Sequence, residues 1–392
     1  LDPGDSTLRA RLLARLAVEL VYSGDAPAVR HLSDEALAMA RRLDDLPTLA
    51  QVLAPRYNTV RGDPGTLPER LANTAELLDV ADRLDDPALR CEAHGWRAVA
   101  AMEAADAQEA ATCLDAFDRL SAAVHQPTML WYVTYMQASR AMLDGRFDDA
   151  EQLATEAFHL GQAAGQPDAD LFLSVQRLQL AFERGTLRRW DRPLRIALAR
   201  DPESWWFLRS WQALCALERG DRDGAQAFLD ELAAHDFTDL AFEPTWLHIV
   251  ANCGTVAAEL GDTARVARVA DLMAPYAGQM VTLSSLAYCG AVDHYLGVLA
   301  AALGRHDEAD GHFASAAAIH QHIGAPAWLA RTRLAWARSL FSRGGRPDEA
   351  ARLLEQAAAT AEALGLAAVA RAVTTAGERR TLVADRSRSP GG

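Results

Sequence analysis

The stretch LAAALGRHDEADGHFASAAAIHQHIGAPAW, residues 299–328, decides the fold. It reads as the end of one helix, a tight turn at Gly304-Arg305, a second helix, and an exit at Gly324-Ala325-Pro326. Ala309 and Ala316 share a helical face with Phe313 between them. Short side chains there let two backbones approach, and one aromatic ring fills the gap above them.

Outward from this unit the same turn recurs, at Gly24-Asp25, Gly62-Asp63, Ala105-Asp106, Gly145-Arg146, Gly185-Thr186, Gly220-Asp221, Gly261-Asp262 and Gly344-Gly345. Successive turns lie roughly 35 to 43 residues apart, within the range of helical-pair repeats. Glycine suits such a turn because the residue that ends a helix often takes a positive φ. Alignment on the turns exposes columns of small residues: Ala110, Ala150, Ala225, Ala309 and Ala350 after them, with Ala157, Ala316 and Ala357 further on. Before the turns stand Ala101, Ala141, Ala181, Ala216, Ala257 and Ala300, and further back Ala17, Ala98, Ala138, Ala213, Gly254 and Gly297. A glycine within a helix costs about 1 kcal/mol against alanine, so Gly254 and Gly297 imply close helix crossing.

Between pairs, Asp85-Asp86-Pro87, Gln126-Pro127, Gly165-Gln166-Pro167, Asp201-Pro202, Glu243-Pro244 and Gly324-Ala325-Pro326 punctuate the chain as helix stops. Ala54 to Pro68, with three prolines and two glycines, predicts an irregular second pair. No alternating pattern of convincing length predicts a strand. The expectation is an all-α, right-handed superhelical solenoid of about nine helix-turn-helix pairs over residues 1–376, with 377–392 as a disordered tail or linker.

Composition agrees and restricts function. Half of the 392 residues are apolar, only 7% are aromatic, and the net charge of −14 argues against direct nucleic-acid binding. All 39 basic residues are arginine, which reads as a GC-rich genome and leaves no lysine for a GxxxxGK[ST] phosphate loop. Cys91, Cys113, Cys215, Cys253 and Cys289 form no CxxC and read as buried thiols in a reducing, cytoplasmic setting. No apolar run reaches the ~20 residues of a membrane span, and LDPGDSTLRA has no leader pattern. The first residue is not Met, which points to an excised piece of a longer protein.

The columns resemble tetratricopeptide repeats of a longer, divergent kind, in which alanine replaces the second aromatic of the first helix. PYAG at 275–278, DHYLG at 293–297, LGR at 303–305, WLARTR at 328–333, LSDEALAMARRL at 32–43 and LDGRF at 143–147 are similar to the C-terminal helical region of large actinobacterial signalling ATPases. That group includes LuxR-type ATP-binding transcriptional regulators and ATPase-linked nucleotide cyclases. The resemblance spans about Ala10 to Arg371. It implies a sensor or protein-binding arm for signalling or transcription regulation, beside an upstream ATPase domain. The chain has no phosphate loop, and no helix-turn-helix reader follows Ala372.

A solenoid of stacked pairs presents a concave binding face. The helical stripe opposite the small-residue columns supplies its candidates: Tyr132, Tyr135, Ser139 and Met142; Phe172, Val175, Gln179 and Phe182; Phe207 and Ser210; His248 and Thr255; His294; and Arg331 with Arg338. Aromatic area with hydroxyl, amide and imidazole groups suits a peptide or a small effector. Packing against neighbouring helices is the competing reading for each of them. Trp205, Trp206 and Trp211 around Arg209 read either as a cation–π platform or as core bulk. His320 and His322 point to different faces, unlike a helical zinc pair, so neither a metal nor a cofactor is expected. Ser284, Ser285, Asp293 and His294 could be assembled into a nucleophile and base, but nothing in their spacing fixes the geometry. Acid pairs such as Asp44-Asp45, Asp85-Asp86 and Asp148-Asp149 read as caps. The expected function is therefore non-catalytic recognition of a protein partner or effector in the groove. A free-standing assembly scaffold and a biosynthetic enzyme built on the groove are the alternatives.

Overall fold

The computed structural model describes residues 4–21, 23–200, 205–240, 243–344 and 346–388. Among them are nineteen α-helices, and the first eighteen follow one another as nine successive helix-turn-helix units whose turns fall at the nine marked positions. The pairs are α1 (Thr7–Glu19) with α2 (Ala26–Leu43), α3 (Leu46–Val60) with α4 (Leu67–Leu84), and α5 (Pro87–Glu103) with α6 (Ala107–Val124). Then come α7 (Pro127–Leu143) with α8 (Phe147–Ala163), α9 (Ala169–Arg184) with α10 (Asp191–Arg200), and α11 (Trp205–Arg219) with α12 (Arg222–Leu232). The last are α13 (Trp246–Leu260) with α14 (Thr263–Met273), α15 (Val292–Ala302) with α16 (His306–His322), and α17 (Pro326–Ser342) with α18 (Pro347–Leu364). The fold is an all-α helical-repeat solenoid.

The local chemistry follows from the sequence. Asp45 and Asp86 cap α3 and α5, each accepting a backbone N–H at 3.0 Å, while Asp44 and Asp85 take the left-handed conformation that ends the preceding helix. Pro87, Pro127 and Pro326 open the next helix, where a missing N–H costs nothing. Asp201-Pro202 and Gly345 lie outside the described residues. The irregular second pair takes the form of Pro55 inside α3 and a single 3₁₀ turn at Pro64–Thr66.

The alanine columns are buried throughout. Gly254 and Gly297 mark close crossings. A Cβ on Gly297 would stand 2.7 Å from the Phe313 ring, and one on Gly254 would stand 2.9 Å from Val269. All five cysteines are buried thiols. The last helix, α19 (Ala367–Arg388), runs into the segment read as a tail, and residues 389–392 lie outside the described set.

Two features go beyond simple stacking. The first is a β-hairpin, β1 (Met280–Leu283) and β2 (Ala287–Ala291), paired Met280 to Ala291 and Leu283 to Ala287. It was not expected. Its strands are buried on both faces, so the period-two alternation that betrays a half-buried strand is missing. It also takes the place of the opening turns of α15, which is 11 residues long where α17 has 17. The second feature is contact between distant repeats. Arg140 on α7 donates to the Ile323 carbonyl at 3.1 Å, Arg331 on α17 pairs with Glu183 on α9 at 2.6 Å, and a Cβ on Gly185 would stand 2.4 Å from the Ala368 nitrogen. The late pairs thus pack against the middle ones.

Candidate functional site

Most of the inner stripe predicted from the turn offsets is buried, Tyr135, Ser139, Gln179, Ser210, His248 and His294 among it, and the hairpin lies against part of it. Tyr135 and Ser139 on α7 meet its tip: the Tyr135 hydroxyl is 3.2 Å from the Ser285 hydroxyl, and Ser139 Oγ lies 2.9 and 2.7 Å from the carbonyl oxygens of Ser285 and Leu286. Gln176 Nε2 donates to the Tyr135 carbonyl at 2.9 Å and lies 3.2 Å from that of Leu286. Gln179 contacts the Cys289 sulfur at 3.6 Å and donates to Glu183 at 2.9 Å. Arg331 holds the other Glu183 oxygen and lies over the rings of Phe182 and Trp328. A buried carboxylate thereby meets a charge-assisted partner, as its desolvation requires.

His294 and His320 secure the far end of the hairpin. The Ala291 N–H donates to His320 Nε2 at 2.8 Å, so the His320 proton sits on Nδ1 and points at the Thr332 hydroxyl, 3.1 Å away. The Thr332 hydrogen is then free to donate to His294 Nδ1 at 3.0 Å. This relay requires both rings to be neutral. Burial holds the His294 pKa down to about 3, and burial, with the adjacent His294 imidazole and the Arg331 guanidinium, holds His320 well below the ordinary imidazole value.

Further along, Asn252 lies 3.2 Å from Ser210 Oγ and 3.0 Å from His248 Nε2, while Phe207 and Trp211 pack on the His248 ring. Thr255 turns back to the Ala251 carbonyl of its own helix. Arg209 lies over Phe228 and pairs with Glu231, while Trp211 is core; the Trp205 side chain lies outside the described set. Ser285 bonds to Tyr135, Asp293 to Gly278 and His312, and His294 to Thr332. None of these bonds joins a serine to a histidine.

One part of the wall is open. A cleft of about 430 Å³ lies between α1, α3, α5 and α7, with Ser285 among its lining residues. Tyr132 and Tyr135 line it, together with Glu92, Trp96, Met129 and Met136, which sequence reasoning did not single out. The signal was present: Glu92 stands thirteen residues before the Ala105 turn, the offset that Tyr132 has from Gly145 and Phe172 from Gly185. Phe172 buttresses the site from behind, edge-on to Tyr135 with ring centroids 5.2 Å apart. Trp96 stacks on Tyr57 at 4.8 Å, so two rings are pre-ordered before anything enters.

No protein-family model matches the sequence, and no curated protein matches it. Among solved structures it is similar to a circular tandem repeat protein with novel repeat topology and enhanced subunit contact surfaces. The two are 14% identical, 98% of this chain and 99% of that one are covered, and the TM-score is 0.17, too low to carry an argument.

Proposed function

We propose that the chain is a non-catalytic recognition arm whose binding site is the cleft between α1, α3, α5 and α7. The observation that carries this reading is the division of the inner wall: the hairpin covers Ser139, Gln179 and their neighbours, whereas the wall at Tyr132, Trp96 and Glu92 stays open. Pre-packed aromatic rings with a few polar groups suit a small effector or the side chains of a partner protein. The sequence similarities at 275–278, 293–297 and 328–333 support a cytoplasmic role in a signalling ATPase or a transcriptional regulator, where occupancy would be relayed to an attached nucleotide-binding module. Ser285 offers a relay point, since it touches both the cleft and, through its own strands, the late repeats.

A scaffold for protein assembly is the second reading, favoured by Leu8, Leu12 and Leu16 on one face of α1, which are 58%, 44% and 47% exposed. The two readings separate in one experiment. Tyr132→Ala should abolish effector or partner binding measured by calorimetry, with the helical circular-dichroism spectrum unchanged. Binding that survives Tyr132→Ala but is lost in Leu12→Asp moves the site to the outer face of α1.

A further inference from the structure

Several carboxylates on α4, α5, α6 and α9 are matched by arginine. Glu69 pairs with Arg56 and Arg30, Glu103 with Arg70, Glu109 with Arg97, and Glu183 with Arg331. Glu92 departs from this. It lines the cleft, and its hydrogen bond among the described residues comes from the Trp96 indole at 3.4 Å, a long contact from a neutral donor. Burial raises its pKa above the ordinary carboxylate value, with the Trp96 bond acting weakly the other way. Tyr132, Trp96 and the soft thioethers of Met129 and Met136 line the cleft with it; Trp96 turns its indole edge to Glu92, stacks on Tyr57 and carries Arg61 over its ring at 6.0 Å. Such groups attract a cation that has been stripped of water.

We propose that this cleft takes an organic cation, an alkyl- or arylammonium group, with its charged head on Glu92 and its apolar body among Trp96, Tyr132 and Met136. The inference rests on the reading of the cleft as the binding site and names the ligand class. Two arginines also line the cleft, Arg11 and Arg15, and both are exposed on α1. Arg15 is bonded to Glu19 at 2.6 Å. Exposed charges are screened by water and salt, whereas the partly buried carboxylate is screened less. Charge complementarity therefore favours a cation within the cleft. A volume of about 430 Å³ exceeds that of a bare ammonium ion and accommodates a compact amine with a ring or chain.

Three probes of one shape test this on the full chain by calorimetry: 2-phenylethylammonium, neutral 2-phenylethanol and anionic phenylacetate. The expected order is ammonium tightest, by about tenfold or more over the alcohol, with phenylacetate weakest. Glu92→Gln should remove that preference by weakening the ammonium more than the alcohol. Equal affinity for ammonium and alcohol, an undiminished preference in Glu92→Gln, or tightest binding of phenylacetate overturns the cation assignment while leaving the cleft a binding site. No binding of any probe at about 10 mM overturns both the assignment and the reading of the cleft.

Discussion

The hydroxyl of Tyr135 meets the hydroxyl of Ser285 at 3.2 Å, across 150 residues of sequence. Tyr135 belongs to the fourth helical pair and Ser285 to the hairpin that precedes the eighth. The inner wall of the solenoid is thereby built by the chain against itself. On the proposed reading, recognition is confined to the part that the hairpin leaves uncovered.

Removing the two α7 hydroxyls should cost unequal amounts. Tyr135→Phe deletes one hydroxyl–hydroxyl bond and should cost about 1 kcal/mol. Ser139→Ala deletes a buried hydroxyl that reaches the Ser285 and Leu286 carbonyls and accepts from Gln176, and should cost more, about 1–3 kcal/mol. Urea unfolding of both variants gives the order, and a larger cost for Tyr135→Phe would contradict the contact geometry.

Gly290 and Gly304 both have positive φ, at 83° and 73°, but their surroundings differ. A Cβ on Gly290 would stand 2.4 Å from the Trp328 ring, whereas one on Gly304 meets nothing within 4 Å. Gly304→Ala should cost only the backbone strain, about 1–2 kcal/mol. Gly290→Ala should add about 1–3 kcal/mol of overpacking, seen as a lower melting temperature. Equal melting temperatures would mean that the hairpin does not sit against α17.

Acid should destabilise the fold through three buried histidines. Burial holds His248 and His294 down to about 3 and His320 well below its ordinary value, whereas an unfolded imidazole titrates near 6.5. Between these values the unfolded chain binds more protons. Stability contributed by these groups is therefore complete above about pH 6.5 and lost as pH falls toward 3, at about 1.4 kcal/mol per pH unit for each histidine. Glu92 and Glu243, whose burial raises their pKa values, oppose this trend below neutrality. Urea midpoints measured from pH 7.5 to 5 should fall with pH, and His248→Gln should make that slope shallower. A slope unaltered by His248→Gln would place that ring in water.

The repeat was legible because each turn demands a residue tolerant of positive φ and each crossing demands a short side chain. Those demands recur in register, so Gly145, Gly220 and Gly261 announce their turns, and Gly254 and Gly297 announce tight crossings. Ala105 serves the same turn with φ of 58° and was found by spacing. The inner stripe was legible as a direction. What covers it was not, because Met280–Ala291 carries no alternation when both faces are buried. Tyr132 and Tyr135 were found on the cleft, whereas Glu92 passed unread because the stripe was followed only from the fourth pair onward.

Hydrogen exchange over residues 280–292 tests the central claim most directly. If the hairpin is a permanent part of the inner wall, amides such as Val292, bonded to the Gln279 carbonyl, and Ala291, bonded to His320, should be protected as strongly as those in the middle of α7. Exchange of this segment within seconds, while α7 stays protected, would show a hairpin that leaves the wall open and would contradict a binding site confined to the cleft.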